Sequence, residues 1–249
     1  MASDHTPSPA EPALDRSVAL ELLGRGDIDV QGRLVDASNA TLYCGVSLDG
    51  VEAVCVYKPT AGERPLWDFP DGTLGLREVA AFAMSDASGW DLVPPTVFRE
   101  GPFGPGMCQL WIDIDETVDL GELVRADHPD LRRMCALDAV INNADRKGGH
   151  LLPTPDGRIY GVDHGVCFST DEKLRAVLWQ WRGRRIPPDV LQTLQDLRAD
   201  LDGALGGTLA DLIDVDELRM TRRRLDRLVR TGRYPQPSGD WPAVPWPPF

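Results

Sequence analysis

Residues 142–152, with the sequence NNADRKGGHLL, decide the fold together with residues 161–168, GVDHGVCF. Each segment places an aspartate, Asp145 or Asp163, close to glycines. The stretch between them has short apolar runs on either side of a Pro-Asp-Gly turn signal, which predicts two short paired strands. Carboxylates brought to the ends of such strands would form a good site for a hard cation and for accepting a proton.

Two ionisable residues upstream extend this pattern. Lys58 ends the apolar run VEAVCVYKP, and Glu78 lies near the start of the helical pattern LREVAAFAMSDAS. Taken alone, the first is typical of a strand-end lysine reaching into water, and the second of a glutamate near a helix N-terminus. However, 23 of the 26 basic residues are arginine, and the chain keeps lysine only at Lys58, Lys147 and Lys173.

The order of these parts is informative. A strand-end lysine, a helical glutamate, an Asp-Arg turn, a hairpin and then Asp-x-Gly follow one another as in protein-kinase-like phosphotransferases. NNADRKGGHLL and GVDHGVCF resemble the catalytic and metal-binding segments of the phosphatidylinositol 3- and 4-kinase-like family, and more narrowly a small bacterial, actinobacterial branch of it. VYKP, REVAAFAMS and LVPPTVF resemble its lysine strand, its helix and the strand entering the hinge, so the resemblance covers about residues 33–185.

The resemblance implies an α+β, two-lobed protein-kinase-like fold, in which an antiparallel sheet and a helix form the N-lobe and the C-lobe is mostly helical. It implies that ATP and Mg²⁺ or Mn²⁺ bind between the lobes. The catalytic residues would be Asp145, Arg146 and Lys58, and the metal ligands Asp163 and His150. The nucleotide-binding residues would be Ser38, Asn39, Thr41, Lys58, Glu78, Leu110, Trp111 and Ile112.

His150 departs from the family pattern, which has an asparagine as second metal ligand at this position. Because imidazole suits manganese or zinc better than magnesium, His150 could bind a softer metal. It could instead leave one metal held mainly by Asp163, donate a hydrogen bond to a phosphate oxygen, or be purely structural.

The function that we expect is ATP-dependent transfer of a phosphoryl group to a hydroxyl of a lipid, a protein or a small molecule. Fold alone does not choose among these acceptors. The altered metal position leaves a catalytically weak nucleotide-binding pseudokinase as the alternative. Transfer of the nucleotidyl group, with ATP bound in the reverse direction, is a third possibility.

Composition narrows the class of protein and its expected location in the cell. The 249 residues carry a net charge of −13, which argues against a general nucleic-acid binder. No apolar run reaches the ~18 residues of a membrane span, and the N-terminus lacks the features of a secretory signal, so we expect a cytoplasmic protein without integral membrane association. The five cysteines include no CxxC pair and indicate neither a disulfide framework nor a zinc site.

The domain prediction has four parts: a flexible tail at 1–12, an N-lobe at 13–113, a C-lobe at 114–234 and a Pro/Trp-rich tail at 235–249. Two or three antiparallel strands are expected from Arg33 onward. The C-terminal tail could bind a protein partner or lie along the lobe surface. The Trp-x-Trp pair at 179–181 and the arginines after it could pack the lobe or receive an anionic substrate.

Overall fold

The computed structural model describes residues 14–34 and 39–249. The tail predicted at 1–12 and Ser38, one of the predicted nucleotide contacts, lie outside the described residues.

The N-terminal part is built on a five-stranded antiparallel sheet with the order β1-β2-β3-β5-β4. The strands are β1 (Asp27–Arg33), β2 (Leu42–Leu48), β3 (Val51–Pro59), β4 (Thr96–Gly101) and β5 (Gly104–Leu110). Asp49 and Gly50 join β2 to β3 with φ values of 50° and 83°. Two positive φ values in a two-residue turn match the twist of the strands it connects, which fixes the β2–β3 register.

The two faces of this sheet have different roles. One face buries Cys44, Cys55 and Tyr57 in a small apolar cluster with helix α1 (Arg16–Arg25). Since side chains alternate along a strand, Lys58 lies on the opposite face. One face of the sheet therefore packs on an apolar core with α1, and the opposite face carries Lys58.

Helix α2 (Leu74–Ala87) follows a long loop after β3 and confirms the helix predicted there. Its N-terminus is capped from a distance, because the Glu63 carboxylate accepts hydrogen bonds from the backbone N–H groups of Leu74 and Gly75. This cap supplies acceptors for N–H groups that have no partner within the helix. It thereby fixes α2, and Glu78 on it, relative to β3.

The C-terminal part is mostly helical and carries the larger apolar core. Its elements are α3 (Leu120–Leu123), α4 (Pro129–Ile141), β6 (Leu151–Pro153), β7 (Ile159–Gly161), α5 (Pro188–Asp200), α6 (Ala204–Ala210) and α7 (Val215–Thr231). Strands β6 and β7 form the predicted hairpin and pair antiparallel. The α+β, kinase-like prediction of an antiparallel N-terminal sheet and a mostly helical C-terminal part is confirmed.

Three elements depart from the sequence expectation. Helices α1 and α6 were not predicted, and β1 ends at Arg33 although the strands were expected to begin there. Six of the seven residues of β1 are exposed, so this edge strand has no apolar alternation to reveal it. Helix α6 is only seven residues long and contains two glycines, which are poor helix formers.

The Trp-x-Trp pair packs the C-terminal part. Trp181 is buried against Tyr234, and the Trp179 indole is buried as well. Arginines of α7 also dock on the protein itself: Arg224 is buried, and Arg227 pairs with Glu172 at 2.8 Å.

Among the described residues, no helix combines the length and the apolar character that a membrane crossing requires.

Candidate active site

A cleft of about 500 Å³ lies between the sheet and the C-terminal part. Predicted site residues from five separate chain segments meet in its wall. They are Asn39, Thr41, Lys58, Glu78, Asp145, His150 and Asp163.

Lys58 is the centre of the charge network in this cleft. Its Nζ lies 2.9 Å from Glu78 Oε1 and also ion-pairs with Asp163. Burial opposes a charge on Lys58, but Asp163 and then Glu78 outweigh it and raise the pKa of the ammonium. The same contact holds the pKa of Asp163 well below its usual range. Lys58 is therefore a permanent cation and Asp163 a permanent anion at neutral pH.

The backbone at Asp163 aims this carboxylate into the cleft. Asp163 has a φ of 59°, in the left-handed region that aspartate tolerates better than most residues. The next residue, His164, donates its backbone N–H to Glu78 Oε2 at 2.8 Å. Glu78 thus holds Lys58 through one oxygen and the Asp163–His164 turn through the other, and its side chain is only 4% exposed.

Asp145 is positioned by the turn that ends α4. The helix stops at Asn142, which adopts a left-handed conformation with φ 54°. The following side chain, Asn143 Oδ1, accepts a hydrogen bond from the Asp145 backbone N–H at 2.9 Å. The Asp145 carboxylate is one-third exposed and lies 3.1 Å from Lys147 Nζ. It is accessible from the cleft, as a proton acceptor must be.

Arg146, which was predicted to be catalytic, lies behind the cleft and not in its wall. Its side chain is completely buried and does not line the cleft. The guanidinium pairs with Asp138 at 3.0 Å and donates to the Val162 carbonyl at 2.9 Å. Because Val162 precedes Asp163, Arg146 joins the segment of Asp145 to the segment of Asp163 from behind.

His150 faces Asp163 across the cleft, with Nε2 at 3.4 Å from Asp163 Oδ2. Its Nδ1 is buried and has no hydrogen-bond partner among the described residues. Burial lowers the pKa of the imidazole, so the ring is neutral at pH 7. A neutral imidazole beside an ionised carboxylate is a suitable donor pair for a divalent metal.

Few side chains near Asp163 and His150 could serve as metal ligands. The described residues contain no group of three or more His, Cys, Asp or Glu side chains arranged to hold a metal ion. Asp163 and His150 therefore fit a metal that takes its remaining ligands from water and nucleotide phosphates, which is the usual arrangement for Mg²⁺ in phosphotransferases. They do not fit a metal held by protein side chains alone.

The predicted nucleotide contacts divide into two groups. Asn39 and Thr41 line the cleft, and Asn39 Oδ1 accepts a hydrogen bond from the Arg64 backbone N–H at 2.9 Å. By contrast, the residues Leu110, Trp111 and Ile112 at the end of β5 and just beyond it do not line this cavity. Only part of the predicted nucleotide-binding set therefore lies in the wall of the charged cleft.

Sequence reasoning missed several residues that organise the site. Asp138 lies in an apolar helix and is buried, a placement that is rare for an unpaired aspartate and could have signalled its buried partner Arg146. His164 is fully buried beside Arg146, and burial lowers the pKa of its ring well below the usual value. Glu63 carried no sequence signal, because its role as a helix cap depends on a loop eleven residues long.

Comparison with solved structures identifies the class of protein. The crystal structure of the Golgi casein kinase with Mn/ADP bound aligns with a TM-score of 0.60 and 15% sequence identity, covering 90% of this chain and 80% of that one. An antiparallel sheet and a mostly helical part with a charged cleft between them thus define a protein of kinase-like fold.

Sequence comparison identifies the family. No family model matches the chain. Protein Rv2133c of Mycobacterium tuberculosis (strain ATCC 25618 / H37Rv) is 43% identical over 263 aligned residues, which cover 92% of this chain and 94% of that protein. The chain belongs to the family of protein Rv2133c, which agrees with the predicted actinobacterial branch.

The lipid-kinase resemblance is confirmed only at a coarser level. Phosphatidylinositol 4-kinase gamma 4 of Oryza sativa subsp. japonica is 30% identical over 158 residues, which is 54% of this chain. This match spans 28% of the rice protein. The kinase-like assignment stands, and membership of the phosphatidylinositol 3- and 4-kinase type stays a prediction.

Proposed function

We propose that this protein is an ATP-dependent phosphotransferase that transfers a phosphoryl group to a hydroxyl of a lipid, a protein or a small molecule. The observation that carries the proposal is the contact of Lys58 with both Glu78 and Asp163 in a cleft that also holds Asp145. Two carboxylates from different segments hold this ammonium in the cleft, where it can contact phosphate oxygens.

Each residue has a role that follows from its place. Lys58 would bind phosphate oxygens, with Glu78 holding it in position. Asp145 would orient the acceptor hydroxyl and take its proton, and the Lys147 ammonium lies 3.1 Å from its carboxylate. Asp163 and His150 would hold Mg²⁺ or Mn²⁺, which when bound neutralises charge on the phosphates. The Golgi casein kinase structure with Mn/ADP supports a nucleotide and a divalent metal in this fold.

A binding-only function is the second candidate, and His150 is the observation that favours it. Where the resembled family has an amide oxygen, this chain offers an imidazole, which is a poorer ligand for magnesium. A protein that binds nucleotide without turning it over would signal through binding alone.

The first experiment is incubation of the purified protein with ATP labelled on the γ or on the α phosphate, in Mg²⁺ and in Mn²⁺, followed by mass spectrometry and measurement of released ADP. Transfer of the γ label, or ADP release, supports the phosphotransferase. An α label on the protein supports nucleotidyl transfer instead. Nucleotide binding without movement of either label supports the binding module.

Two isosteric variants separate the assigned roles. We expect Asp163→Asn to abolish metal-dependent nucleotide binding, because it removes the anionic metal ligand. We expect Asp145→Asn to retain binding and to lower turnover by about 10²-fold or more, because it removes the proton acceptor. Calorimetry with ATP and metal measures binding, and ADP release measures turnover. Equal loss of binding in both variants would contradict the roles.

A further inference from the structure

The C-terminal segment 241–249, here called the strap, lies against the loop that carries Asp145. The Gly148 backbone N–H donates to the Pro248 carbonyl at 2.8 Å. The Phe249 ring packs so closely on Gly148 that a Cβ at this position would collide with it. Because Gly148 is three residues after Asp145, the strap covers backbone immediately beside the proposed proton acceptor.

A second contact anchors the middle of the strap. The Ala243 carbonyl accepts hydrogen bonds from the Ala176 N–H at 3.0 Å and from Trp179 Nε1 at 2.8 Å. Ala176 itself pairs with Arg146 in a parallel bridge. The strap therefore binds the loop that carries Asp145 and the segment 176–179 bridged to it, and it does so through carbonyl groups that any extended polypeptide has.

A third contact joins the strap to the N-terminal part. The Trp241 ring stacks on Trp67, which belongs to the loop between β3 and α2, with centroids 6.3 Å apart. Lys173 Nζ lies 4.9 Å from the centroids of both rings and 2.8 Å from the carboxylate of Asp68. Lys173 is only 3% exposed, whereas Trp67 is 83% exposed, so the Trp241 ring contacts a buried ammonium and an exposed indole.

The strap nevertheless has features of a segment that can leave. Four residues of the segment that leads into it, Pro235, Gln236, Ser238 and Asp240, line a cavity of about 560 Å³ instead of filling it. The strap has no regular secondary structure, and the side chains of Trp246 and Phe249 are 86% and 54% exposed. Its prolines restrict the unbound chain, which reduces the entropy lost on binding.

We propose that the groove formed by Gly148, Ala176, Trp179, Lys173 and the exposed Trp67 is a binding site for an extended polypeptide rich in proline and tryptophan. The chain's own strap is its resident and exchangeable ligand. While bound, the strap restricts access of an acceptor to Asp145. This gating rests on the proposed phosphotransferase function, whereas binding in the groove does not.

The test of binding uses a protein truncated after Gly239 and a synthetic peptide of residues 240–249, DWPAVPWPPF. We expect the truncated protein to bind this peptide in calorimetry, and the full chain to bind it at least about tenfold more weakly because its groove is filled. A peptide with Trp241→Ala should bind at least about tenfold more weakly. The matched control peptide, with the exposed Trp246→Ala, should bind like the original. Absence of binding, or equal effects of the two substitutions, would overturn the proposal.

The test of gating measures ATP turnover with water as acceptor. Truncation should raise turnover several-fold, and the peptide added in trans should lower it again. If truncation lowers turnover and the peptide restores it, the strap completes the site and gating is wrong. If no variant turns over ATP, the result counts against the phosphotransferase proposal. The peptide-binding measurement still tests whether the groove binds the strap.

If the truncated protein does not fold, the proposal can be tested in the full-length chain instead. Hydrogen exchange at the Gly148 amide should be faster in Trp241→Ala than in the wild type and unchanged in Trp246→Ala. Likewise Gly148→Ala, which collides with Phe249, should expose the strap to limited proteolysis, whereas Gly149→Ala, with open space around it, should not. Unchanged exchange and proteolysis would show that the strap is not held as proposed.

Discussion

The three lysines of this arginine-rich chain each place a compact ammonium in a confined position. Lys58 lies between the carboxylates of Glu78 and Asp163, Lys147 beside Asp145, and Lys173 between two indoles. An ammonium can bond in any of three rotatable directions, whereas a guanidinium is a wide planar fork that favours bidentate partners. These contacts suit a compact ammonium better than a planar guanidinium.

We expect His150 to set the metal preference, and one substitution tests this. We expect the wild type to bind ATP more tightly with Mn²⁺ than with Mg²⁺, because imidazole is a better ligand for manganese. His150→Asn should shift the preference towards Mg²⁺ by restoring an oxygen donor. Calorimetric titration of ATP with each metal measures both effects.

The control is the same substitution outside the cleft. His128 is the N-cap of α4, where its Nδ1 accepts from the Asp130 N–H, and asparagine is a good residue for this position. His128→Asn should therefore leave the metal profile unchanged. Identical profiles for wild type and His150→Asn would remove His150 from the metal site.

Among the elements, α4 determines where the loop that carries Asp145 lies. Its buried Asp138 accepts hydrogen bonds from Arg146 and from Asn143 Nδ2, so the helix holds both ends of the turn before and after Asp145. An ion pair inside a core adds little net stability over apolar residues, but it specifies one arrangement. Here the buried pair orients the loop so that Asp145 faces the cleft.

We expect Asp138→Asn to destabilise the protein by about 3–5 kcal/mol, because Arg146 would remain buried without its counterion. Urea unfolding measures this change. Arg219→Gln on α7 removes an exposed pair with Asp216, at 2.9 Å, and should cost less than about 1 kcal/mol. Similar losses in the two variants would show that the buried pair is not a structural centre.

At the scale of the whole molecule, the site is assembled from both parts of the chain. Lys58 and Glu78 come from the N-terminal part, and Asp145, His150 and Asp163 from the C-terminal part. A ligand that contacts both parts therefore binds the native state and not the unfolded chain. Such binding stabilises the fold by mass action.

ATP with Mn²⁺ should accordingly raise the melting temperature. At about 100 times the Kd, the expected stabilisation is ~2.7 kcal/mol, which corresponds to roughly 5–11 °C for a chain of this size. Differential scanning calorimetry with ATP and metal measures the shift, and ATP with a chelator is the control. We expect no metal-dependent shift in Asp163→Asn. A wild type that melts at the same temperature with and without nucleotide would contradict the assembled site.

The sequence alone predicted those parts of the molecule that are specified locally. Helix α2 and the β6–β7 hairpin follow from apolar spacing and turn residues within a few positions of one another. The order of Lys58, Glu78, Asp145 and Asp163 along the chain carried the family resemblance, and that resemblance implied the kinase-like fold. Local signals carry these features because helix, turn and strand preferences depend on near neighbours.

Only the tertiary structure decided which distant groups meet. Lys58 and Asp163 are 105 positions apart, and their contact depends on how β3 packs over the C-terminal part. In the same way, Arg146 turned out to face Asp138 and not the cleft, and Lys173 lies between Trp67 and Trp241. Apolar burial is non-directional, so a sequence pattern shows that a residue is buried but not against which partner. The partner of each charge, and with it the geometry of the site, is fixed only when the whole chain is packed.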